Sequence, residues 1–107
     1  SRAVKIACLG LAFKANIDDL RESPALDITV RLAERFGGDV VAVEPNIDEL
    51  PSKLSGLGVQ LVHLNAALDS ADILVVLVDH REFTARVPAL REDVILIDTK
   101  GIWSSPR

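Results

Sequence analysis

Five apolar runs punctuate the chain, at residues 4–10, 39–44, 59–63, 73–79 and 94–98, and the segments between them are helical in period or rich in turn residues. Alternation of this kind predicts a parallel sheet with helices packed on its faces. The fourth run, Ile73-Leu74-Val75-Val76-Leu77-Val78, lacks polar alternation and is rich in β-branched residues, as a central strand covered on both faces requires. Val94-Ile95-Leu96-Ile97 is expected to behave in the same way.

Ser23 can cap a helix with Pro24 at its first position, and the Gly37-Gly38 pair can end it. Three-and-four spacing puts Ala25, Ile28, Leu32, Ala33 and Phe36 on the apolar stripe, with Asp27, Arg31, Glu34 and Arg35 on a solvated side. Pro45, Pro51 and the Ser-Gly pairs after Lys53 mark a loose connection with room for one short helix. A second helix is expected over residues 64–71, and a helical turn or two after Arg81, which Pro88 prevents from growing long. Right-handed crossovers arrange the strands as 3-2-1-4-5, an α/β, three-layer, Rossmann-like domain with a five-stranded, mainly parallel sheet. Ligands of such sheets bind at the strand carboxyl ends. That rim collects Gly10 to Lys14, Glu44, Asp79-His80 and Asp98-Thr99-Lys100.

At 107 residues and 49% hydrophobic content the chain is the size of one domain, spanning residues 1–107, with enough apolar surface for one core. A formal charge of -4 supplies no general attraction to nucleic acid or to an anionic membrane, so neither is expected as a partner, and the simplest location is the cytoplasm. The apolar segments are too short to span a bilayer. The lone Cys8 lies within the first strand and is expected to be a buried thiol rather than a nucleophile. With no methionine, even at residue 1, the sequence is expected to be a piece of something longer.

The connection from Leu11 to Glu22 is long against the roughly 2 to 6 residues usual between strand and helix, which favours a binding role. It carries no glycine fingerprint of a dinucleotide site, so something other than NAD pyrophosphate is expected there. Gly10 can form a tight turn, Lys14 suits a phosphate, and Phe13 can pack on a base or sugar or anchor the loop. Asp18 and Asp19 could suggest a metal. Satisfying loop amides or pairing with Arg21 accounts for them better, and no metal is expected. Arg21 could brace the loop or reach a second phosphate-bearing ligand, and Lys100 offers another cation on the rim. His80 could act as a base, but a hydrogen-bond network is the better expectation; His63 carries less weight. A phosphorelay receiver would also use a lysine after strand five. Its acids do not fit here, since Asp18 and Asp19 come too far after the strand and His63, not an aspartate, ends the third run.

From Gly10-Leu11-Ala12-Phe13-Lys14 through Asp18-Asp19-Leu20-Arg21-Glu22-Ser23-Pro24-Ala25, and again at Ile97-Asp98-Thr99-Lys100-Gly101, the chain closely resembles the C-terminal domain of the UDP-glucose and GDP-mannose dehydrogenase family. Asp79-His80-Arg81-Glu82-Phe83 is similar to the branch acting on UDP-N-acetylhexosamines, whereas UDP-glucose dehydrogenases tend to carry Glu-Trp there. The resemblance implies an enzyme that is a homodimer at full length, with an N-terminal NAD-binding domain, a central helical domain and a C-terminal domain for the UDP portion. The family oxidises the C6 alcohol of the sugar to a carboxylate in two NAD-dependent steps, through a thiohemiacetal and a thioester on a cysteine that Cys8 does not match. It implies that Phe13 and Lys14 contact the nucleotide sugar and that Arg21 reaches NAD held by another domain. Lys100 stands where relatives often have an arginine near the substrate, keeping the charge without the bidentate fork. No catalytic residue is expected in this chain, which alone should be inactive. Other family substrates, or a stand-alone nucleotide-binding or receiver-like module, are the competing expectations.

Overall fold

The computed structural model describes residues 4–12, 14, 16, 19–36, 39–85 and 87–103. Each apolar run yields a strand: β1 (Ile6–Leu9), β2 (Val40–Val43), β3 (Gln60–Leu61), β4 (Ile73–Val76) and β5 (Ile95–Asp98). Between them lie α1 (Pro24–Phe36), α2 (Ser52–Ser55), α3 (Leu64–Ser70) and α4 (Arg81–Thr84). The sheet runs β3-β2-β1-β4-β5 with every pairing parallel, the order that right-handed crossovers predict.

Strand alternation divides the core in two. Ile6 and Cys8 face the layer of α1 and α2 with Ala25, Leu26, Ala33 and Leu54, while Ala7 and Leu9 face the layer of α3 and α4 with Ala67, Phe83 and Trp103. β1, β2 and the inner part of β4 are sealed on both sides, hence their unbroken apolar runs. β5 departs from the expectation. Ile95 and Ile97 are 57% and 48% exposed, because β5 is an edge strand and the crossovers that place α1 and α2 cover only the β1-β2-β3 half of their face. Among the described residues no helix follows β5 to cover the remainder.

α1 begins as its sequence predicts. Ser23 Oγ accepts the Leu26 N–H at 3.2 Å, and the Asp27 N–H donates to the Ser23 carbonyl at 3.1 Å. Its buried face is rotated from the expected stripe: Ala25, Leu26, Thr29 and Ala33 are buried, whereas Ile28 and Phe36 are 40% and 43% exposed. Thr29 can face the core because its hydroxyl donates to the Ala25 carbonyl at 2.9 Å, leaving no unpaired polar atom. Gly37 and Gly38, the expected helix stop, lie outside the described residues. Among the described residues no helix is long and apolar enough to cross a membrane.

Cys8 is fully buried in β1, and burial pushes its thiol up to about 11, with a hydrogen bond to Thr29 acting weakly the other way. A protonated, enclosed thiol is a poor nucleophile. At pH 8 its reaction with a disulfide reagent is therefore expected to proceed at the rate of unfolding and to become fast in urea. Rapid labelling of the native chain would place Cys8 elsewhere.

Candidate functional site

The register sets Leu9, Val43, Val76 and Asp98 level, so the chain leaves four strands along one rim. Gly10 turns the chain off β1 with φ +101, and a Cβ on it would lie 2.5 Å from the Cβ of Val78. The Leu77 and Val78 N–H groups donate to the Leu9 carbonyl at 2.9 and 3.3 Å. The segment after β4 thus packs against the end of β1 and leaves no room for a side chain at residue 10.

Beside this turn lies a buried polar cluster. Glu44, the residue after β2, is 3% exposed, and His80 is fully buried. Glu44 Oε1 accepts the N–H groups of Leu11 at 2.8 Å and Ala12 at 3.1 Å, together with His80 Nε2–H at 2.8 Å. Its Oε2 accepts the backbone and side-chain N–H groups of Asn46 at 3.0 and 3.1 Å. His80 Nδ1 accepts the Asn16 N–H at 2.8 Å, which requires a lone pair there, so the proton of a neutral ring sits on Nε2 and faces Glu44. Burial by itself would raise the Glu44 carboxyl, but hydrogen bonds from His80, Leu11 and Asn46 outweigh it and hold the group below its ordinary range. With both ring nitrogens engaged and no exposed surface, His80 serves a network, as its sequence context suggested, and is not a base open to substrate.

The remaining links organise the loop around Lys14. Asn16 has φ +65, a conformation asparagine tolerates, and its Oδ1 accepts the Arg81 N–H at 2.7 Å. Ser23 Oγ donates to the Leu11 carbonyl at 2.7 Å, tying the start of α1 to the start of the loop. Lys14 is exposed and makes no ion pair among the described residues. Arg21, 88% exposed in its side chain, donates through Nε and Nη2 to both Asp19 oxygens at 3.0 Å. Hydrogen bonds from Arg21 hold the Asp19 carboxyl down at about 2. Pairing thus accounts for Asp19, while Phe13 and Asp18 lie outside the described residues.

Lys100 is exposed two strands away, on a turn built by Asp98, whose Oδ1 accepts the Lys100 and Gly101 N–H groups at 3.1 and 2.7 Å. Lys14, Arg21 and Lys100 share the rim, but no hydrogen bond or ion pair joins them among the described residues. A cavity of about 510 Å³ opens nearby between the ends of β2 and β3 and α4. Its apolar walls include Val43, Leu61 and Phe83, and its polar fringe includes Asp48, His63 and Glu82, a balance that does not favour phosphate. Among the described residues no group of three or more His, Cys, Asp or Glu side chains could hold a metal ion.

Residues 7–105 match the UDP binding domain of the UDP-glucose/GDP-mannose dehydrogenase family. The chain belongs to that family. It is 55% identical to the UDP-N-acetyl-D-mannosamine dehydrogenase of Salmonella typhi over 100 residues, which are 94% of this chain and 24% of that one. It is 49% identical to the NDP-N-acetyl-D-galactosaminuronic acid dehydrogenase of Ralstonia nicotianae over 102 residues, or 95% of this chain and 24% of the relative. Among solved structures, a ternary complex of GDP-mannose dehydrogenase from Pseudomonas aeruginosa matches all of this chain and 27% of its own, with a TM-score of 0.76 and 25% identity. The UDP-N-acetyl-mannosamine dehydrogenase Cap5O from S. aureus matches 97% of this chain and 28% of its own, with a TM-score of 0.62 and 25% identity.

The chain thus spans about a quarter of the length of these dehydrogenases. In this UDP-glucose/GDP-mannose dehydrogenase family domain, Glu44 stands where a dinucleotide fold places its ribose-binding acid, at the end of the second strand. Here the acid holds loop amides instead. The sequence put Glu44 and His80 on one rim but did not join them, and it did not signal Asn16 or Asn46 at all. An acid next to a strand end and ahead of a proline was the one available hint.

Proposed function

We propose that this chain is the UDP-binding domain of an NAD-dependent UDP-N-acetylmannosamine 6-dehydrogenase. The full-length enzyme would oxidise the sugar C6 alcohol to the uronate, consuming two NAD and one water. The observation that carries the assignment is Lys14, an exposed cation with no ion pair among the described residues, on a loop anchored by hydrogen bonds to Glu44 and His80 at the strand carboxyl ends. A lysine between two anchored stretches of backbone suits a diphosphate, and the names of the 50–55% identical relatives supply the sugar. The residues here do not fit NAD as a resident of this domain: Ala12 stands where the dinucleotide fingerprint that starts at Gly10 needs its second glycine, and Glu44 accepts from loop amides instead of being open to a ribose. NAD, which accepts the hydride when bound, is assigned to a domain outside these residues.

Phe13, Lys14 and Lys100 are the substrate-side residues of this proposal, and Arg21 faces the cofactor. The Asp19 bond leaves Arg21 Nη1 uncommitted among the described contacts, so it can brace the loop and still offer a donor. The enzyme is proposed to be a cytoplasmic homodimer whose active site closes between this domain, as the single C-terminal unit, and the N-terminal NAD-binding and central domains. A second reading takes another UDP-N-acetylhexosamine as the substrate, favoured by the galactosaminuronic acid dehydrogenase relative at 49% identity.

In the full-length enzyme Lys14→Ala is expected to raise the KM for UDP-N-acetylmannosamine by roughly 10- to 150-fold, the loss of a charge-assisted hydrogen bond of about 1.5 to 3 kcal/mol. Steady-state kinetics with each nucleotide sugar in turn checks both the residue and the epimer. An unchanged KM removes Lys14 from the site. NADH production by these 107 residues alone would contradict a domain that holds only the UDP half.

A further inference from the structure

We propose that Glu44 and His80 are positioning residues: together they hold the amides of Leu11, Ala12 and Asn16, on either side of Lys14, so that Lys14 is presented to the diphosphate of the nucleotide sugar. This rests on the role given to Lys14 above. The amides of Leu11 and Ala12, before Lys14, end on Glu44, and the amide of Asn16, after it, ends on His80. Lys14 is two residues from an anchor on either side, so the reach of the chain limits how far its Cα can travel while both anchors hold.

The two anchors are themselves joined, since His80 Nε2–H donates to Glu44 Oε1 at 2.8 Å. On the far side the link is reciprocal: Asn16 gives its N–H to His80 Nδ1 and takes the Arg81 N–H on its Oδ1. A pair of apolar side chains would fill the same space without the cost of burying polar groups, but it could not accept from the loop amides. The His80 ring is held in turn, edge-on to Phe83 with centroids 5.6 Å apart. The path from core to Lys14 therefore passes through two side chains from different strand ends, 36 residues apart in sequence.

The test uses the full-length enzyme. His80→Leu removes both the donor to Glu44 and the acceptor for Asn16, whereas His80→Gln keeps an N–H and a carbonyl oxygen at comparable spacing. His80→Leu is expected to raise the KM for UDP-N-acetylmannosamine at least tenfold with the KM for NAD within twofold of the parent; His80→Gln should return it to within threefold. A purely structural role would reduce the active fraction, lowering kcat while leaving KM in place. Should His80→Leu not fold, Asn16→Ala at an exposed position breaks the Arg81 link and is expected to raise the same KM at least threefold. Unchanged nucleotide-sugar KM in these variants, with Lys14→Ala still raising it, overturns the positioning role and leaves the role of Lys14 standing. If Lys14→Ala has no effect while amide exchange at residues 11–16 quickens at least tenfold in His80→Leu, the loop is held as described but serves no nucleotide sugar. That result overturns the proposal together with the reading of Lys14.

Discussion

Glu44→Ala is expected to destabilise the fold by about 4 kcal/mol. The loss leaves the N–H groups of Leu11 and Ala12 and the Nε2–H of His80 without an acceptor in a buried site. Each orphaned buried donor costs about 1 to 3 kcal/mol, and water entering the vacated space limits the sum. Against the roughly 5 to 15 kcal/mol that a domain possesses, this is enough to leave the variant marginal. Urea unfolding at pH 7 measures it; a loss below about 1 kcal/mol would mean that the carboxylate carries none of the loop.

The same carboxylate makes stability fall in acid. Its folded-state pKa lies below the ordinary value of 4.5, so the unfolded chain takes up the proton first as the pH drops. The contribution is complete above about pH 5, shrinks as the pH falls through the ordinary value and is gone below the folded one. Glu44→Gln is expected to show a shallower loss of stability over that acid range than the parent. An identical slope would assign the acid sensitivity to other carboxylates.

Gly10→Ala is expected to cost about 3 kcal/mol, combining the strain of a left-handed backbone, about 1 to 2 kcal/mol, with overpacking of about 1 to 3 kcal/mol. The methyl group would meet Val78 Cβ at 2.5 Å and Val78 Cγ2 at 2.8 Å. Val78→Ala should not rescue the variant, because alanine keeps the Cβ that is the nearer obstacle. The midpoint of thermal unfolding checks both variants, and full rescue by Val78→Ala would show that the backbone conformation itself is not strained. On the role proposed for Lys14, the substitution should also raise the nucleotide-sugar KM of the full-length enzyme, since Gly10 opens the loop that carries Lys14.

Much of the architecture was legible because parallel strands buried on both faces leave unbroken apolar runs and because α1 carries its own start signal in Ser23-Pro24. The exposed face of β5 was not legible. Ile95 and Ile97 read like residues of β4, and only the count of helices on that face distinguishes an edge strand from a central one. The buried face of α1 differs from its sequence stripe for a related reason: Thr29 becomes a core residue once its hydroxyl bonds Ala25, while Ile28 and Phe36 fall where the layer has ended.

Around the candidate site, the strand order and the rim at the strand carboxyl ends could be read from the sequence, because they follow from local pattern and crossover handedness, and so could the presence of Lys14, Arg21 and Lys100 near that rim. The sequence also excluded a dinucleotide fingerprint. That Glu44 and His80 meet under the loop that carries Lys14 is visible only in the folded chain. Their contact spans two strand ends, and the sequence carries no local trace of a hydrogen bond that forms only when β1, β2 and β4 lie level in one sheet.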